Sequence, residues 1–127
     1  MFTMPTSKRF LTLLFAFLIP AAALTGCSPT TDALNYFPPA ARSKARCIIL
    51  RESGGNPDAV SPTGDYGLFQ INAAAHAANF QRRYGVSFYG NIRKVSYNAR
   101  YARYLYDYYA ARGLSPFTPW NGGRYPC

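Results

Sequence analysis

The chain reads as one mainly α-helical domain, because two strongly periodic helical stretches flank a turn-rich loop. The first runs from about Ala40 to Ser53, with Ala41, Ala45, Ile48 and Glu52 on one face, and Gly54-Gly55 stops it abruptly. The second begins near Asn91 as its cap and runs to Arg112, with Gly113 as its stop. Between them, Asn56 to Gly67 contains two prolines and two glycines, the composition of a loop or short irregular hairpin that returns the chain across the end of the first helix. With 127 residues, 49% of them apolar or aromatic, the chain has enough material for one modest core.

Taken in order, Ser28 to Pro39 is polar and turn-rich, with Pro29, Pro38 and Pro39 resisting regular structure, so it reads as a spacer. Pro39 also suits the first turn of the helix that follows. Leu68 to Ile71 is compatible with a helix start or a strand, and a second short helix is expected over Ala73 to Gln81. In the long helix, Ile92, Val95, Ala99, Ala102, Tyr106 and Tyr109 share one stripe, while Tyr97, Tyr101, Tyr104 and Tyr108 lie roughly opposite. A helix apolar on two sides is expected at the centre of a domain, and its tyrosines more as packing than as a ligand platform.

Upstream of the spacer, Lys8 and Arg9 precede an apolar run from Phe10 to Ala23, the order of an export signal. The run is short for a membrane span and contains Pro20. Leu24-Thr25-Gly26-Cys27 follows and resembles the lipobox of bacterial lipoproteins, which implies acylation of Cys27 and a protein held on the membrane outside the cytoplasm, facing the periplasm or cell wall. The alternative is an ordinary signal cut near Ala23 with Cys27 as a free thiol. The domain plan is a signal over 1–26, a linker over 27–39 and a folded domain over 40–127. Lipidation of Cys27 would leave Cys47 and Cys127 to form one disulfide in an oxidising compartment, a staple that a domain this small needs. Zinc is not expected, since the chain has one histidine, His76, and neither a CxxC nor an HxxxH pair; no cofactor is implied.

Without Lys8 and Arg9 the chain keeps twelve Lys and Arg against five acids, which favours an anionic polymer or surface as partner. Nucleic acid is not expected: no zinc-finger, helix-turn-helix or RNA-binding signature is present, and an exported protein meets anionic wall material first.

Glu52 is the only glutamate. An apolar stripe desolvates its charge and the end of the helix repels it, so the neutral acid is favoured, as glycosidic cleavage requires of the group that protonates the leaving sugar oxygen. The competing reading is a helix-end glutamate paired with a neighbouring arginine such as Arg51.

The run that starts there carries Glu52-Ser53, Asn56-Pro57, Ala59, Ser61, Gly64, Gly67-Leu68 and Gln70 at an ungapped spacing that resembles the lytic transglycosylase (SLT) branch of the lysozyme-like superfamily. The resemblance continues through Asn91-Ile92 into the tyrosine-rich helix and fades after about Tyr109. It implies a lysozyme-like fold and cleavage of the β-1,4 bond between N-acetylmuramic acid and N-acetylglucosamine in peptidoglycan. Glu52 would be the acid/base, Ser53 would orient it or the substrate, Gln70 would contact sugar, and Tyr97 would hold the glutamate from the long helix. Pro119-Trp120-Asn121-Gly122-Gly123 stands where the family often has Tyr-Asn-Ala-Gly, which makes Trp120 either a cleft residue or a core plug under the disulfide.

Asp65-Tyr66-Gly67 with Gln70-Ile71-Asn72 also looks like a segment of animal-type lysozymes, in which the aspartate is the second catalytic carboxylate; Tyr66 and Asn72 would then bind substrate. Two mechanisms stay open. A hydrolase needs Asp65 beside Glu52, whereas a transglycosylase needs Glu52 alone, the muramyl 6-hydroxyl closing a 1,6-anhydro ring. Asp65 is equally well explained as a turn residue after Gly64, and His76 is expected to be structural. Further alternatives are an inactive peptidoglycan-binding envelope protein and a membrane-active cationic protein, the latter disfavoured by the two apolar stripes of the long helix. A partner in envelope or secretion machinery is left open.

Overall fold

A computed structural model describes residues 28–127; the proposed signal and Cys27 lie outside the described residues. Among the described residues the order is α1 (Pro29–Leu34), α2 (Arg42–Ser53), β1 (Asp65–Tyr66), β2 (Ile71–Asn72), α3 (Ala73–Tyr84), α4 (Phe88–Asn91) and α5 (Val95–Ala110), with short 3-10 turns at Pro39–Ala41 and Asn121–Gly123. The domain is mainly helical, consistent with a lysozyme-like fold.

Each end of α2 follows from its sequence. Pro39 opens the single 3-10 turn that leads into it, and Gly54 closes it in the left-handed conformation (φ 63°), donating its N–H to the Leu50 carbonyl. Ala41, Ala45 and Ile48 are buried along the expected stripe, joined by Ile49, while Glu52 ends that stripe half-buried. The loop after α2 is an irregular hairpin: β1 and β2 pair antiparallel with Asp65 opposite Asn72 and Tyr66 opposite Ile71, and Val60 bridges to Tyr66. Asn72 then caps α3, its side chain accepting from the Ala75 N–H.

The spacer reading of 28–39 does not survive. Ser28 caps α1 through its hydroxyl, Pro29 occupies the first helical turn where its missing N–H costs nothing, and Ala33, Leu34 and Phe37 are buried in the core. Pro29 and Pro39 act here as helix starters and not as breakers, so this segment belongs to the folded domain. The Phe37 ring lies 5.3 Å from Phe69 and 6.2 Å from Phe117, and Trp120 continues the cluster 5.5 Å from Phe69.

A second correction concerns the long helix. Asn91 ends α4 instead of capping α5, because Ser87 caps first and Asn91 spends its amide on the Ser87 carbonyl and its oxygen on Lys94. The two-sided character of α5 holds: Ala99 and Ala102 are buried on one side, Tyr101 on the other, with Leu105 and Asn98 between.

Asn98 ties α5 to the hairpin. Wholly buried, it accepts from the Phe69 N–H at 2.9 Å and donates to the carbonyls of Tyr66 (2.9 Å) and Ile92 (3.0 Å), so every polar atom of the amide is satisfied. Gly67 makes the approach possible: its φ is +77°, and a Cβ there would sit 2.4 Å from the Asn98 amide nitrogen. Through this junction the long helix fixes the hairpin that carries Asp65 and Gln70.

Candidate active site

Where α2, the hairpin, α3, α5 and the C-terminal segment meet, a cleft of about 230 Å³ is lined by Glu52, Asp65, Gln70, Ile71, Asn72, His76, Leu105, Pro119 and Trp120. Five residues singled out from the sequence therefore converge on it: Glu52, Asp65, Gln70, Asn72 and Trp120.

Glu52 projects from the last turn of α2, and its Oε1 accepts a hydrogen bond from the Tyr125 hydroxyl at 2.5 Å. Tyr125 stands on a C-terminal strap that α2 itself holds down. Cys47 bonds Cys127 with Cα atoms 5.8 Å apart, the Lys44 ammonium donates to the carbonyls of Gly123 (3.2 Å) and Tyr125 (2.7 Å), and the Arg51 guanidinium lies 5.6 Å from the Tyr125 ring centre. The bond to Glu52, then burial, pushes the Tyr125 phenol above its ordinary value, so it remains a hydrogen-bond donor.

Asp65 is held differently. Its Oδ2 accepts from the hydroxyls of Ser61 and Thr63, each at 2.5 Å, and its Oδ1 accepts from the Asn72 amide at 3.0 Å. Burial alone would raise this carboxyl, but the three donors together outweigh burial and hold it below its ordinary value, as the charged form. The turn reading and the cleft reading of Asp65 thus describe one arrangement: local donors shape the turn and keep a negative charge on the cleft wall.

Gln70 takes a left-handed backbone conformation (φ 49°), uncommon for a residue with a Cβ and held by its own amide, which donates to the carbonyls of Ala59 (3.2 Å) and Gly67 (3.0 Å). Trp120, only 4% exposed, is both plug and wall: its indole N–H donates to the Phe69 carbonyl at 2.8 Å. Asn72 divides its side chain between capping α3 and holding Asp65.

Three expected site residues are placed otherwise. The Ser53 hydroxyl lies within hydrogen-bond distance of the Ile49 and Leu68 carbonyls and accepts from the Gly55 N–H, so it fastens the end of α2 to the hairpin. The Tyr66 ring packs edge-on against Phe88 and Tyr89, away from the cleft lining. Tyr97 packs with Phe80 and Tyr84, and the tyrosine on Glu52 is Tyr125. His76, expected to be structural, does line the cleft; its Nδ1 is 3.1 Å from the Tyr101 hydroxyl, and burial lowers its proton affinity toward the neutral imidazole.

The family model described as the transglycosylase SLT domain matches residues 40–123. The chain belongs to this family. Members of the SLT family are lytic transglycosylases, which cleave glycosidic bonds in peptidoglycan. The matched span contains Glu52, the hairpin and Trp120, while α1, Tyr125 and Cys127 lie beyond it. Neither a curated protein nor a solved structure matches the chain. In this SLT domain the strap that reaches the cleft glutamate is therefore built partly from residues outside the family's span.

Proposed function

We propose that Glu52 is the acid and then the base of a lytic transglycosylase acting on the N-acetylmuramic acid to N-acetylglucosamine bond. The observation that carries this reading is a lone glutamate at the cleft, half-buried at a helix end and fixed through one oxygen by Tyr125. Glu52 gives its proton to the bridging oxygen as the bond to the muramyl C1 breaks, releasing the N-acetylglucosamine hydroxyl and leaving a cationic sugar. The resulting carboxylate takes the proton of the muramyl 6-hydroxyl, whose oxygen bonds C1. The ring closes as a 1,6-anhydro product, Glu52 is again protonated, and no water is consumed. With Oε1 engaged by Tyr125, Oε2 is the oxygen left to exchange the proton with substrate.

In this scheme the Asp65 charge stabilises the cationic sugar without bonding it. A second reading, hydrolysis with Asp65 as nucleophile or ion stabiliser, is favoured by one observation: Asp65 is held ionised on the same cleft as Glu52. Mass spectrometry of muropeptides released from purified peptidoglycan separates the two. Anhydro ends lighter by one water are expected; products with reducing ends would replace the first reading by the second.

We also propose that the mature protein starts at an acylated Cys27 and stays on the membrane outside the cytoplasm, on the strength of Leu24 to Cys27 and the preceding apolar run. Among the described residues no helix is long and apolar enough to cross a membrane. More than one acyl chain would be needed for stable anchoring. Intact-mass measurement should find Cys27 at the N-terminus with its acyl groups, and an unmodified soluble form beginning near Leu24 would overturn the assignment.

A further inference from the structure

Past His76 and Leu105, which line the cleft, a second depression of about 280 Å³ opens along the tyrosine side of α5. Tyr104 and Tyr108 of that depression also line a third, of about 470 Å³, where α3 meets α5. There the two helices exchange arginines. Arg83 of α3 stacks 3.7 Å above the Tyr104 ring of α5, and Arg100 of α5 lies 4.9 Å from the Tyr84 ring of α3. Both guanidiniums act on the Tyr84 phenol, drawing it down against the burial that pushes it up.

The electrostatics of the two arginines are unresolved within the protein. The neighbouring Arg103 is satisfied by Asp107 and by the Tyr36 carbonyl. Arg83 and Arg100 have no carboxylate partner among the described residues, and both are exposed. A guanidinium stacked by its face on a ring is fixed in orientation while its N–H edge stays free, the disposition that suits a carboxylate or phosphate.

We propose that this depression binds a carboxylate of the peptide stem carried by the glycan strand whose sugar backbone occupies the cleft, with Arg83 and Arg100 as donors. The proposal rests on the reading of the cleft as a glycan site. Continuity favours the stem peptide over a separate phosphate polymer or a lipid headgroup: the depressions share residues from Glu52's cleft to the arginines, and Leu105 and Arg100 are separated by roughly 8 Å of helix rise. A group hanging from a bound sugar is delivered to the arginines along Tyr104 and Tyr108, which line both depressions.

The test compares the full chain with R83Q, R100Q and the double variant on two substrates: intact peptidoglycan, and glycan strands stripped of stem peptides by an amidase. On intact material the double variant is expected to show a KM raised about tenfold with kcat retained, an effect that shrinks with added salt, as for two exposed charge contacts. On stripped strands it should match the parent. An unchanged KM on intact material, or equal losses on both substrates, overturns the proposal. So does loss of co-sedimentation with phosphatidylglycerol vesicles while KM on intact peptidoglycan is unchanged, which assigns the arginines to the membrane. If the parent cleaves neither substrate, the catalytic reading of the cleft fails by itself, and pelleting with the two polymers still decides this site: the parent should pellet more strongly with intact peptidoglycan and the double variant equally with both.

Discussion

Glu52→Gln is expected to lower turnover on peptidoglycan by about three orders of magnitude or more, while Asp65→Asn leaves the rate within about tenfold of the parent. Glutamine keeps the shape of the side chain and an oxygen that accepts the Tyr125 hydroxyl, so the loss reads proton transfer and not packing; unchanged thermal unfolding verifies this. Asp65→Asn removes the charge on the cleft wall but still offers an oxygen to Ser61 and Thr63. Under the hydrolytic reading both substitutions cost several orders of magnitude. Near-parent turnover by Glu52→Gln, measured as initial release of soluble muropeptides, refutes both mechanisms, whereas no release by the parent itself leaves the domain as a binder of the polymer.

The second large effect concerns the strap. Replacing Cys47 and Cys127 together by serine is expected to lower unfolding stability by about 2–4 kcal/mol, read as a shift in the denaturant midpoint. The sequence separation is 80 residues, and closing a loop of that size in the unfolded chain accounts for about 4 kcal/mol in the entropic treatment. The same variant should lose turnover even where it remains folded, because the disulfide holds the segment that brings Tyr125 to Glu52. Tyr125→Phe separates the two roles: kcat falls about tenfold, the order of one hydrogen bond to the carboxylate that forms as Glu52 gives up its proton, while the midpoint moves much less. Stability and activity both at the parent level in the cysteine variant would rule out the strap as a support.

Much of this was legible because it is local. The stripe of α2, its Gly54 stop and the hairpin after it follow from spacing and turn chemistry over a few residues, and the motif from Glu52 to Gln70 carries the family. What escaped depends on contacts between distant segments. Tyr97 was expected to hold the glutamate because it lies on the right helix, yet side-chain direction in the fold turns it toward Phe80 and Tyr84. For Tyr125 the signal lies in the disulfide: Cys127 pairs with Cys47, five residues before Glu52, so any residue close to Cys127 is brought alongside the end of α2. The prolines of 28–39 look like breakers, but their effect depends on position: Pro29 at the start of α1 and Pro39 at the start of the 3-10 turn stabilise turns that they would break in the middle.

The absence of a spacer changes what an anchor at the proposed Cys27 would mean. Ser28, the very next residue, already caps α1, and α1 packs onto α5. A lipid-linked enzyme on a long leash samples the thickness of the wall. One fastened at the first residue of its fold has a working radius set by its own body, a radius of gyration of about 13 Å for a domain of this size. With such an anchor its cleft would reach only strands within one body's width of the membrane, and its range along the membrane would come from lateral diffusion of the anchor. Inserting a flexible segment between Cys27 and Ser28 would then extend cleavage to outer layers without altering the cleft.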